Sequence, residues 1–568
     1  MTSSIPVRKI ALIALLAGAG SAWYLALPPR AVSGIAIGQG APKVVRGAIH
    51  IHTDRSDGTG TVDEVAAAAA RAGLNFVVFT DHGDATRKPD PPQYRSGVLC
   101  IDAVEISTDD GHVVALGVPQ SPYPLGGEAR DVIDDVMRLG GFSIAAHPGS
   151  PKPELRWTDW TLPIAGLEWL NGDSEWRDES RWTLTRALLT YPARQTETLV
   201  TLLDRPDSVL QQWDVLARGR QVVAIAGADA HARLGFRSLG EPYDNGASLH
   251  VPSYERVFRA FSNVLIGVSL AGNAETDAEQ VIGAIRDGHV YSAIDGIGDA
   301  GILSFTATDG GMRAEAGDVM PIGRAITLRA EVRGREDARI ALFKDGVARA
   351  ESGPLLEHIV EPGTPGVYRV EVSLPDAPGQ PGVPWLLSNP IYVGERTNVP
   401  AVAQPPPAKF DVRYADGPAT AWTVETSPAS KAALDVVPAE RGTQLALRYA
   451  VGGAASASPY AAFVLHADRA LAEYDRLIFT ARADRPTRVS VQLREPSGVN
   501  GERWHRSVFI GTEPRDITVY FRDLRPLTTA RAQPMLANVD SILFVLDTVN
   551  TALGGSGRIW MDDVKYAR

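Results

Sequence analysis

The sequence predicts a multidomain chain in which an α/β domain is followed by two all-β sandwich domains. Three observations carry this. Between about Lys43 and Gly296, helical stretches alternate with short unbroken apolar runs, and a helix–Gly–strand unit occurs three times. After residue 300 the pattern changes to strict period-two alternation. A Pro-rich stretch, Val399 to Lys409 (VPAVAQPPPAK), then reads as a stiff extended linker between two such β regions. The expected divisions are an N-terminal segment 1–30, the α/β domain 43–297, an Ig-like β-sandwich 298–395, a Pro-rich linker 396–409 and a second β-sandwich 410–568. At roughly 100–200 residues per domain, 568 residues suit three or four domains.

The elements follow in order. Arg8 and Lys9 precede an uncharged apolar run from Ile10 to Leu27, closed by Pro28 and Pro29. That order matches an export signal, and at ~1.5 Å per residue the run also suits an uncleaved membrane anchor. Either way the rest of the chain is expected outside the cytoplasm, periplasmic or secreted. Thr61 to Glu64 has the spacing of a capping box and opens an alanine-rich helix that stops at Gly73. Phe76 to Phe79 then has the unbroken apolar character of a strand buried on both faces. The unit returns with Val132–Leu139 before Phe142–Ala146, and with Val209–Leu216 before Gln221–Ala226. Further on, Ile326, Leu328, Ala330 and Val332 alternate with polar residues, as do Tyr368, Val370 and Val372, which predicts strands with one wet face. Val489, Val491, Leu493, Ile517, Val519 and Phe521 repeat the pattern in the last domain.

Composition narrows the chemistry. Lys+Arg 56 against Asp+Glu 67 gives a net charge of −11, which lacks the basic footprint of a non-specific duplex nucleic-acid binder. The single cysteine, Cys100, excludes an intramolecular disulfide and a cysteine zinc cluster. A metal site must therefore be built from His and carboxylates.

Six of the 11 His fall in short motifs between residues 50 and 231. His50 and His52 form an H-x-H on a strand, where period two sends both rings to one side. Asp57 follows in a Ser-Asp-Gly turn, His82 and His147 end strands, Glu105 lies in the apolar strand Val98–Ile106, His112 starts the next, and Asp229 and His231 form another spaced pair. Taken singly, Asp57 is an ordinary turn residue and Asp229 an ordinary helix cap. Taken together, six imidazoles and three carboxylates at strand ends suit two or three Zn²⁺, Mn²⁺ or Fe²⁺ ions, with Glu105 as a bridge. Clustered cations drive water toward hydroxide and polarise the oxygen under attack, so the expected chemistry is hydrolysis.

The series His50-x-His52 with Ser56-Asp57-Gly58, Thr80-Asp81-His82, Glu105 followed by Gly111-His112, Ala146-His147-Pro148 and Asp229-Ala230-His231 resembles the polymerase and histidinol phosphatase (PHP) superfamily over about residues 43–300. The resemblance implies a distorted seven-stranded β/α barrel with up to three metal ions. It would place His50, His52, Glu105 and Asp229 on the first ion, Glu105, His112 and His147 on the second, and Asp57, His82 and His231 on the third. Ala48 stands where many members have Asp. Asp81 is a candidate to orient a metal ligand or to act as a catalytic proton relay, Glu168 and Asn171 are candidates to reach the substrate or to close a hydrogen-bonded strand terminus, and Arg233 and Arg237 are candidates for a substrate anion. The exported form and the segment Pro384–Val393 resemble a branch that includes carbamate- and ester-cleaving metallohydrolases. The last domain resembles a galactose-binding-type jelly roll, which implies carbohydrate contact and a structural Ca²⁺ at Asp562 or Asp563.

The leading expectation is an exported multinuclear metal-dependent phosphoesterase, acting on a phosphodiester or phosphomonoester of a small or short substrate such as a nucleotide, or as a 5′-3′ exonuclease. A carboxylic ester or carbamate hydrolase is the enzymatic alternative, and a non-catalytic extracellular carbohydrate-binding protein is the alternative of another class.

Overall fold

The computed structural model describes residues 7–31, 44–235, 248–298, 301–394 apart from 376, 380 and 381, residue 407, and 409–568 apart from 454–457, 468–469 and 498–500. Arg237 and most of the Pro-rich linker lie outside these residues. The chain is multidomain and mostly β. It divides into two compact units, one of Met1–Gly83, Pro89–Val118 and Val136–Pro400, the other of Asp84–Lys88, Pro119–Asp135 and Ala401–Arg568.

The first unit starts with helix α1 (Val7–Ala26), which coincides with the apolar run. Trp23 Nε1 of α1 donates to the Leu189 carbonyl at 3.0 Å. Among the described residues no helix is long and apolar enough to cross a membrane. The elements that carry the motifs follow: β1 (Val45–Ile51), α2 (Val62–Ala72), β2 (Phe76–Phe79), β3 (Gln93–Arg95), β4 (Val98–Asp102), β5 (Val104–Thr108), β6 (Gly111–Leu116), α3 (Ala129–Arg138, of which 129–135 belong to the second unit), β7 (Phe142–Ala145), β8 (Gly166–Asn171), α4 (Gly172–Arg177), α5 (Arg181–Thr190), α6 (Gln195–Val200), α7 (Asp207–Gly219), β9 (Val223–Ala230) and α8 (Tyr254–Ala260). The capping box forms at α2: the Glu64 amide donates to Thr61 Oγ1, and the Thr61 amide donates to the Glu64 carboxylate. Gly73, at φ 80°, ends that helix in the left-handed conformation its missing Cβ permits.

β1 lies between β2 and β9 and is parallel to both. β2 pairs with β4, β7 with β8 and β8 with β9, all parallel, whereas β6 is antiparallel to both β5 and β7. The single strand expected over Val98–Ile106 is broken at Ala103 into β4 and β5. The pairings return to β1, and an apolar cluster that includes Ile49, Phe76, Val78, Ile144 and Ile225 is fully buried.

The same sheet continues out of β1. Residues 45–47 pair with Ser262–Leu265, which pairs with Val290–Ala293, which pairs with Leu386–Ser388. A boundary at 297 therefore falls between strands of one sheet. A four-stranded sheet centred on Ile302–Thr308 and Ile326–Arg333 shares a core with that extension. Ile326–Arg333 alternates buried and wetter residues as expected. Gly366–Ser373 does not, because Arg369 and Glu371 on its expected wet face are buried. Arg369 donates to both oxygens of Asp214 on α7 at 2.8 Å, and Glu371 accepts two bonds from Arg205, so a second apolar-lined layer hides a paired charge network.

The second unit is an antiparallel two-sheet sandwich. One sheet is built round Ser556–Ala567 and the other round Ser541–Asp547 and Thr487–Glu495. Val489, Val491, Leu493, Val519 and Phe521 enter its core as their alternation implies. Trp422 and Trp504 are core residues, and Trp560 lies against the Arg482 guanidinium at 3.8 Å. Arg488, on the face opposite that core, is buried against Asp131 and Asp135 at 3.0 and 2.6 Å. Burial opposes its charge, but the two carboxylates prevail and raise its pKa. Removing one partner of a buried ion cluster strands the others, at a cost of about 3–5 kcal/mol. Arg488→Met is expected to destabilise the second unit by that amount, read as a lower midpoint in urea denaturation followed by tryptophan fluorescence.

Candidate metal centre

All nine candidate ligands meet in the first unit. His50 and His52 are at the end of β1, Glu105 is on β5, His112 is the second residue of β6, and Asp229 is next to last in β9. His82, His147 and His231 follow β2, β7 and β9, and Asp57 lies in the turn after β1. The strand ends are also where the backbone departs from regularity. His50 sits at a register shift between Ile49 and Ile51 with φ 70°, and the Nε2 atoms of His50 and His52 lie 3.1 Å apart. His147 at φ 30° and Asp229 at φ 44° are left-handed as well. Such conformations cost on the order of 1–3 kcal/mol each in a non-glycine residue and are held by their surroundings.

Glu105 is the centre of the arrangement. Its Oε1 lies 2.8 Å from both His112 Nδ1 and His147 Nε2. Its Oε2 lies 3.1 Å from His50 Nε2 and His52 Nε2 and 3.4 Å from His82 Nδ1. Asp229 Oδ1 is 3.3 Å from His50 Nε2 and 3.4 Å from His52 Nε2. Asp57 Oδ2 lies 3.3 Å from His231 Nε2 and 3.7 Å from His82 Nε2. The donors fall into four overlapping groups, each within 4.8 Å: His50, His52 and Asp229; His50, Glu105 and His147; His82, Glu105 and His112; and His52, Asp57, His82 and His231. Imidazole and carboxylate donors this close, with no thiol, fit divalent Zn, Mn or Fe.

Without ions the groups charge one another. Burial lowers the His50 pKa, but Asp229, Glu168 and Glu105 outweigh it and raise it well above its ordinary value. His52 is raised to about 10 against the same burial, by Asp229 and Glu105, and His147 and His231 are raised too. Burial pushes Glu105 and Asp229 up, yet the imidazoles around them hold both well below the carboxylate range. His82, where burial prevails, falls to about 4.

The other sequence candidates take supporting positions. Glu168 is buried, with Oε1 2.6 Å from His50 Nδ1 and Oε2 accepting from the His147 amide and from Asn171 Nδ2, each at 2.7 Å. Asn171 Oδ1 in turn caps α4. Glu168 thus ties His50 to the His147 backbone, and Asn171 ties Glu168 to the start of α4. Asp81, from sequence a candidate to orient a ligand or relay a proton, accepts from the Thr53 amide, Thr53 Oγ1 and Ser56 Oγ, all at 2.7 Å, so both its oxygens fasten the turn that carries Asp57. Arg233 is half-buried on the wall of an adjoining cavity. In the second unit Asp562 accepts from the Asp563 amide, and neither residue joins a cluster of three or more His, Asp or Glu among the described residues. Two supports had no sequence signal: the Leu155 carbonyl, which accepts from His147 Nδ1 at 3.0 Å, and Tyr254, whose hydroxyl donates to the His52 carbonyl at 2.8 Å.

No protein-family model matches the chain, and no curated protein matches it. Solved structures similar to part of it include the family 11 carbohydrate-binding module of the cellulosomal cellulase Lic26A-Cel5E of Clostridium thermocellum, 18% identical over 28% of this chain and 94% of that one, with a TM-score of 0.24. The family 30 carbohydrate-binding module of a Clostridium thermocellum cellulosomal cellulase is 13% identical over 28% of this chain and 96% of that one, at 0.22. An exo-beta-agarase is 12% identical over 26% of this chain and 24% of that one, at 0.19. Likenesses of this size carry no argument about what the chain binds.

Two outcomes follow from the centre. A Cβ on Gly227 would lie 2.0 Å from Glu168 Oε1, so Gly227→Ala is expected to push that carboxylate off His50. Loss of such an orienting partner weakens metal binding about 10–100-fold, which metal titration of the folded variant would read. Protons held on His50, His52, His147 and His231 must also leave before those rings can ligate. Apparent affinity for Zn²⁺ or Mn²⁺ should therefore rise with pH and fall as the solution is taken from pH 8 to pH 6, with net proton release in calorimetry across buffers of different ionisation enthalpy.

Proposed function

We propose that the first unit is a multinuclear metal-dependent hydrolase acting first of all on phosphoesters. Its scaffold is the distorted seven-stranded β/α barrel of the PHP resemblance, with β1, β2, the broken strand β4–β5, β6, β7, β8 and β9 as its ring. The observation that carries the reading is Glu105, a buried carboxylate with two imidazoles within 2.8 Å of one oxygen and three within 3.4 Å of the other. A purely structural core would not gather so many titratable groups around one carboxylate.

His50, His52, Asp57, His82, Glu105, His112, His147, Asp229 and His231 would hold the divalent ions, which when bound would supply Lewis-acid chemistry. The chain's own part is orientation. Glu168 takes the Nδ1 proton of His50 in a hydrogen bond, which leaves Nε2 facing Asp229 and Glu105. The Leu155 carbonyl does the same for His147, leaving its Nε2 to Glu105. Asp81 holds the Thr53–Ser56 turn so that Asp57 reaches His52, His82 and His231. Arg233, two residues beyond His231, offers a cation to the substrate's anionic group. The apolar N-terminal segment supports an extracytoplasmic location, by cleaved signal or by anchor, and with the acidic net charge it favours a small or short substrate.

The test uses the purified chain from residue 31 onward with two chromogenic substrates, a phosphodiester and a naphthyl carbamate. Phosphodiester turnover should vanish on chelation, return with Zn²⁺ or Mn²⁺, and fall by at least about 10³-fold in His147→Ala. Carbamate turnover alone would overturn the phosphoester assignment, and silence on both with metal bound would overturn the hydrolase.

A further inference from the structure

One side of the metal centre opens on a cavity. Of the nine candidate ligands, His231 alone exposes as much as a fifth of its side chain, 21%, while the ring nitrogens and carboxylates around Glu105 are almost wholly enclosed. His231 and Asp229 also line a cavity of about 340 Å³ bounded by α4, α5, α6 and α8. That volume is at the lower end of the range for small-molecule sites.

Away from the ligands the wall is apolar, with Leu184, Leu188, Leu202, Leu203 and Phe261 among its residues. Its acidic members are accounted for. Asp173 is paired with Arg177, and burial together with the nearby acids Asp178, Asp204 and Glu179 raises Glu175 well above the carboxylate range. Arg233 is the wall's cation, and it has no ion-pair partner among the described residues. An anionic ester with an apolar substituent would have complementary walls at both ends: charge at Arg233 and the ligand cluster, hydrocarbon along α5 and α6.

We propose that this cavity is a substrate subsite for an apolar alkyl or aryl substituent of a few carbons up to a medium chain, so that the substrate is an amphiphilic ester and not a wholly polar one. This rests on the hydrolase reading for its chemistry but not for its binding. Water has little to hold it against such a wall, and each methylene moved into it is worth a roughly three- to fourfold gain in affinity.

The experiment titrates ethyl, butyl, hexyl and octyl phosphate into the metal-loaded chain by calorimetry, and in parallel measures kcat/KM for p-nitrophenyl phosphodiesters bearing the same alkyl groups. Ala187→Trp, which fills the cavity from α5, and Leu184→Gln, which makes its wall polar, are the two variants. The expected result is affinity that climbs with chain length in the native chain and flattens in both variants, with ethyl phosphate binding unchanged. A flat series in the native chain, or a climb that persists in both variants, overturns the subsite. Chain-length-dependent binding without turnover would overturn the hydrolase and leave the subsite standing; turnover indifferent to chain length would do the reverse.

Discussion

Three carboxylates and six imidazoles share one enclosed space in this protein, and the first unit is organised around keeping them compensated. A buried charge without a partner costs several kcal/mol, so such a group of residues is tolerable only when each faces an opposite charge, a hydrogen-bond partner or a cation. Glu105 meets most of that requirement from a single position, with His112 and His147 on one oxygen and His50, His52 and His82 near the other. The antiparallel placement of β6 between β5 and β7 serves this geometry, because it brings His112 across from Ser107 and within reach of Glu105.

Round the ligands lies a layer that fixes their orientation. Glu168 links His50, the His147 amide and Asn171, and it has room to do so because Gly227 on the neighbouring strand lacks a side chain. Asp81, Tyr254 and the Leu155 carbonyl fasten the turn, the backbone of His52 and the ring of His147. The left-handed conformations of His50, His147 and Asp229 belong to the same picture: local strain at three ligands is sustained by hydrogen bonds on every side of them.

Sequence made the ligand types legible because the motifs are local: each is a strand end with His or Asp within a few residues. Their meeting as a set depends on chain closure, which no spacing encodes. The surroundings of Asp81, Glu168 and Asn171 are not legible from sequence for the same reason. A polar residue at a strand end can face inward to the substrate or sideways to a neighbouring ligand, and only the positions of Thr53, Ser56 and His50 decide it. Periodicity found the strands after residue 300 and the apolar face of each. It failed at Arg369 and Glu371, where a helix far back in the chain supplies Asp214 and turns an expected wet face into a buried ion network. The continuity of the sheet through Leu386–Ser388 was invisible for a related reason: pairing partners are chosen by topology, and composition shows only where strands begin and end.

The placement of β1 sets an order of events for the growing chain. Gly47 pairs with Phe76 soon after it in the chain, but Ile49 pairs with Gly227 and Val45 with Leu265, so the strand that bears His50 gains one neighbour early and its others only after some two hundred further residues have emerged. Contacts of such long sequence separation make for slow closure. The candidate metal ligands from positions 50 to 231 are therefore gathered into one enclosure late, when β9 closes beside β1.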